Sequence, residues 1–124
     1  MAKVRLSDED MHVFYGSARQ DLIDFCIATD RNYDPQFFHE DIAKALTMIE
    51  KREIKRLIIE MPPRHGKSQL CTISFPAWYL GRHPDHEVIT ASYSGDLAQK
   101  FGASCRDLVD DPRFKVIFPG VELR

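Results

Sequence analysis

No apolar run in this 124-residue chain approaches the roughly 20 residues of a membrane span. The start, Met-Ala-Lys-Val-Arg followed by acidic residues, has no apolar signal segment. These two absences predict a cytosolic chain with no membrane partner. Cysteine is scarce. Cys26, Cys71 and Cys105 lie far apart and form no C-x-x-C pair. Neither a zinc site nor a disulfide framework is indicated, and each is expected to be a small buried residue. No histidine pair has zinc-ligand spacing with a third partner. Positive charge is not in excess either, since seventeen Lys and Arg face nineteen Asp and Glu. Any contact with nucleic acid must therefore come from a local patch. No repeat and no low-complexity segment breaks the chain.

What is present suits an ordinary globular protein, with 44% hydrophobic and 29% charged residues. Ser7-Asp8-Glu9-Asp10 predicts a helix cap with an acidic first turn. Met11, Phe14, Ala18, Leu22, Phe25 and Thr29 follow at steps of three and four, one helical face. The turn-rich run Asp30 to Pro35 ends it. A second helix is predicted through Phe38, Ile42, Ala45, Leu46 and Ile49, ending in Glu50-Lys51-Arg52-Glu53. Leu57-Ile58-Ile59-Glu60-Met61 predicts a short strand. A helix follows from Lys67 to about Tyr79, with Pro76 kinking or dividing it. Val88 to Tyr93 predicts a second strand, and Ser94 caps a helix that stops at Asp110-Asp111-Pro112. Phe114 to Phe118 is read as a third strand. Strand and helix alternate from Leu57 onward, which predicts an α/β fold. Residues 1–53 would be an N-terminal helical region. Residues 54–124 would carry a partial P-loop sheet of mostly parallel strands flanked by helices.

The sharpest chemical signal lies in Pro62-Pro63-Arg64-His65-Gly66-Lys67-Ser68. A phosphate cradle needs inward-facing backbone N–H groups, a glycine where a side chain would collide, and a helix start behind it. Gly66 supplies the close approach. Lys67 supplies a positive charge for the β and γ phosphates, and Ser68 a hydroxyl that can ligand Mg²⁺. The amides from His65 through Gln69 are the candidate cradle. The bare Gly-Lys-Ser triplet arises by chance in roughly one chain of this length in twenty, so the strand–loop–helix context decides. Met61 stands where the full motif has its first glycine. Pro62 and Pro63 have no N–H to offer and stiffen the loop instead. Arg64 adds a second charge that could grip a phosphate oxygen, or simply face solvent.

The run Arg56 to Ser68 resembles the large terminase subunit of tailed bacteriophages. So do Phe75-Pro76-Ala77-Trp78-Tyr79-Leu80-Gly81-Arg82-His83-Pro84 and Ala91-Ser92-Tyr93-Ser94-Gly95-Asp96-Leu97-Ala98. The likeness extends from about Tyr33 to Val109. That family's phosphate loop commonly lacks the first glycine and carries an arginine, matching Met61 and Arg64. The resemblance implies the ATPase part of a DNA-packaging motor in the host cytoplasm, with ATP and Mg²⁺ as cofactors. It implies double-stranded DNA, a small terminase subunit and a portal protein as partners, and a homo-oligomeric ring in the parent motor. It places the adenine-side segment near Pro35-Gln36-Phe37. Gln36 can hydrogen-bond a base edge and Phe37 can stack on it, although both also fit a plain helix start.

Hydrolysis needs carboxylates at a strand end to hold Mg²⁺ and position water. Asp110-Asp111 follows a helix pattern and reads as a helix stop, and Glu60 lies on the wrong strand. The chain therefore reads as an N-terminal fragment ending before the acidic motif, without the family's nuclease domain. Alone it is expected to release phosphate only at background level and to be poorly soluble. The alternatives are another P-loop translocase or helicase, and a non-catalytic prophage remnant. Trp78 and Tyr79 are expected in the core. Arg82, His83 and His86 are expected in a solvated turn, with proximity to DNA as the functional alternative.

Overall fold

The computed structural model describes residues 15–30, 32–60 and 69–121. Five α-helices account for most of them: α1 (Leu22–Thr29), α2 (Phe37–Glu50), α3 (Phe75–Arg82), α4 (Gly95–Asp110) and α5 (Pro112–Ile117). A π-helical segment, Gln69–Ser74, runs directly into α3. No helix among the described residues is long and apolar enough to cross a membrane.

Local chemistry explains most helix boundaries. The first predicted helical face is split. Residues 15–18 are helical, a turn follows, and the Asp21 side chain caps α1 by accepting from the Asp24 amide at 2.9 Å. A Ser7 start lies outside the described residues. Helix α2 has the predicted spacing, with Ile42, Ala43 and Leu46 buried. Pro76 occupies the second residue of α3, where its missing N–H is least costly, and the change from π to α winding falls just before it. Ser94 caps α4 as expected, its hydroxyl accepting from the Leu97 amide at 3.1 Å.

The expected α/β fold is not found: among the described residues there is no strand and no sheet. Residues 57–60 are neither helical nor paired, and Ile58 is 86% exposed. Val88 to Tyr93 is likewise unpaired, with Ile89 92% exposed. Apolar, β-branched runs favour extended backbone. A strand also needs a neighbour to take its N–H and C=O groups, and among the described residues neither segment has one. The parallel sheet expected over residues 54–124 is therefore corrected: their described residues form helices and unpaired segments, with no sheet. Phe114 to Phe118 is corrected too. Asp111 caps a helix, accepting from the Arg113 amide at 2.8 Å, and Pro112 takes its first position.

The core forms where α1 meets α2, α3, α5 and the π-helical segment. Leu22, Phe25, Leu70, Trp78, Phe114 and Ile117 are fully enclosed. The rings of Phe25 and Phe114 meet edge to face, 5.9 Å between centroids. Trp78 Nε1–H donates to the Ala18 carbonyl at 3.2 Å, which satisfies its one polar group. The core reading of Trp78 thus holds. Helix α4 lies against the π-helical segment, α3 and α5.

Candidate functional site

Arg64, His65, Gly66, Lys67 and Ser68 lie outside the described residues. Gln69 is the first described residue after them. It is exposed, whereas its neighbour Leu70 is fully buried. Leu70 therefore anchors the start of the helical run from Gln69 to Arg82.

Gln69 lines a cavity of about 270 Å³ with Cys26, Thr29, Asp30, Tyr33 and Ser74. Ser104 and Asp107 of α4 close its other side. The size falls just below the roughly 300 Å³ at which ligand pockets begin. The Tyr33 hydroxyl is buried without a hydrogen-bond partner among the described residues, and burial raises its pKa. Burial likewise pushes the Cys26 thiol up to about 12, opposed by a hydrogen bond with Ser74. Cys26 is thus a neutral thiol at physiological pH and no nucleophile.

Gln36 and Phe37 are not in that lining. Gln36 precedes α2. Its amide donates to His39 Nδ1 at 3.0 Å, and its side-chain nitrogen lies 3.4 Å from Asp34 Oδ2. Phe37 is 78% exposed and rests edge-on against Phe38.

Three residues expected in a solvated turn are instead half-buried. Arg82 Nε donates to Glu50 Oε1 at 3.0 Å, and His83 Nε2 lies 2.8 Å from the same oxygen. Arg82 also donates to the Arg19 carbonyl at 2.6 Å and lies 5.1 Å from the Trp78 ring centroid. His86 accepts or donates to the Tyr79 hydroxyl at 2.8 Å and stacks on His83. The Glu50 side chain is only 4% exposed. Burial alone would raise its pKa, but the hydrogen bonds from His83 and Arg82 and their charges hold it below the usual value. The clasp was missed because Glu50 opens a charged stretch. Its signal was its position, four residues after Leu46 and eight after Ile42, on the buried face of α2.

The acidic pair serves structure. Lys115 Nζ reaches Asp110 Oδ1 at 3.2 Å, and Arg113 grips both oxygens of Asp111. Among the described residues no three His, Cys, Asp or Glu side chains are placed to hold a metal ion.

A comparison with curated proteins and one with solved structures gave no match. The family model described as the terminase large subunit, T4-like-virus type, N-terminal, matches residues 58–121, just over half the chain and spanning Gly66-Lys67-Ser68. The chain belongs to that terminase large subunit family.

Proposed function

We propose that this chain binds ATP–Mg²⁺ through Arg64 to Gln69, as the nucleotide-binding part of a motor that drives double-stranded DNA into a viral capsid. The carrying observation is the terminase family match across a Gly-Lys-Ser triplet that stands directly before a helical run. Lys67 neutralises the β and γ phosphates, and Arg64 adds a second charge. The backbone N–H groups from His65 to Gln69 are proposed as the phosphate cradle, because the N-terminal end of a helical run favours negative charge. The donor chemistry fits Mg²⁺, which keeps most of its waters and takes few protein ligands. The Ser68 hydroxyl and phosphate oxygens would hold it. Gln36 and the exposed ring of Phe37 are proposed for the adenine side. A small terminase subunit, a portal protein and further copies in a ring are the partners this reading carries, in the host cytoplasm.

Anisotropy of a fluorescent ATP analogue, measured with and without Mg²⁺, tests the proposal. Mg²⁺ should tighten binding to the wild-type chain, and Ser68→Ala should remove that gain. No binding in either condition would overturn the proposal. A gain that survives Ser68→Ala would overturn the role of Ser68.

A further inference from the structure

The C-terminus of α2 closes in a Schellman motif. The Arg52 amide donates to the Ile49 carbonyl at 3.0 Å and the Glu53 amide to the Met48 carbonyl at 2.9 Å. The residue between these bonds must be left-handed, and glycine usually occupies it. Here it is Arg52, with φ 61°, the one described non-glycine residue at positive φ. A backbone outlier of this kind is a reason to ask what the side chain does.

The side chain is one of four exposed cations within six residues: Lys51, Arg52, Lys55 and Arg56. Among the described residues none of the four has an ion pair or a side-chain hydrogen bond. Glu53 is the one carboxylate among residues 51–56, so the turn carries a local charge of +3 in a chain of net −2. Its base is held firmly. Glu50, the last residue of α2, is the buried partner of Arg82 and His83. The clasp fixes the direction in which the turn leaves the body of the protein.

We infer that Lys51, Arg52, Lys55 and Arg56 form a binding surface for the phosphate backbone of duplex DNA. The cations and their lack of partners point to a polyanion. A protein partner would want an apolar or aromatic centre, and the turn's one apolar side chain, Ile54, is half-buried. Single-stranded nucleic acid would want aromatic platforms, and residues 51–56 contain none. A regular array of duplex phosphates asks only for positioned charge. The choice of DNA rests on the packaging function proposed above.

The test separates charge from structure. Binding of the chain to a mixed-sequence DNA duplex is followed by anisotropy across a salt series. Four neutralised phosphates predict a slope of log K against log [salt] of about −3.6. Arg52→Gly should shrink it by about 0.9, while the melting temperature holds or rises because glycine suits the left-handed position. Replacing all four cations with glutamine should abolish duplex binding. Nucleotide binding, measured in parallel, should be unchanged in every variant, so failure here is distinguishable from failure of the ATP reading. Unaltered duplex affinity and slope in Arg52→Gly and in the four-fold variant would overturn the inference. So would tight binding to anionic lipid vesicles with none to the duplex.

Discussion

At the scale of the residue, Gly81 carries the clearest steric constraint. It sits in α3 with the ring of Phe118 packed against it, and a Cβ added there would lie 2.6 Å from Phe118 Cε2. Phe118 is itself buried and packs on Phe25 and Phe114, so its ring cannot swing clear without opening the core. Gly81→Ala should therefore destabilise the chain by about 1–3 kcal/mol, the usual range for overpacking. Urea unfolding followed by circular dichroism would check this. An unchanged midpoint would mean the ring is not held. Nothing in the sequence disclosed this contact, because the two residues lie far apart along the chain. Only the fold brings residue 118 back to residue 81.

At the scale of the element, the helices were legible and the sheet was not. Steps of three and four marked α2, and Ser94 announced α4, because both signals are local hydrogen-bond or packing chemistry. Asp111-Pro112 was read only as a stop, although the same pair is also a helix start. The strands failed for a different reason. Leu57 to Glu60 and Val88 to Tyr93 have strand-like composition, but pairing is a property of two segments and no single run encodes it. Ile58 and Ile89, almost wholly exposed, show the consequence. The joint between α2 and α3 has a pH dependence with a definite sign. The Glu50 carboxyl is held below its ordinary value of 4.5. Its contribution is therefore complete above that value and lost as pH falls through the lower folded one. Wild type should lose stability from about pH 4.5 downward, and more steeply than Glu50→Gln, whose neutral amide has no such titration. Urea midpoints across pH 3–7 for both chains would check this, and parallel profiles would contradict it.

At the scale of the whole molecule, the candidate site joins a triplet read from sequence to a body that the structure describes. Gln69 and Leu70 link them, one exposed beside the cavity and one sealed in the core. The family match, residues 58–121, covers the three blocks of likeness seen in the sequence apart from Arg56 and Leu57. The central claim is that Lys67 holds nucleotide phosphates, and titration calorimetry tests it most directly. Wild-type chain should release heat on binding ATP–Mg²⁺. Loss of one charge-assisted hydrogen bond costs about 1.5–3 kcal/mol, so Lys67→Ala should weaken binding by about ten- to one-hundred-fold. An affinity for ATP–Mg²⁺ that is the same in wild type and Lys67→Ala would contradict the account.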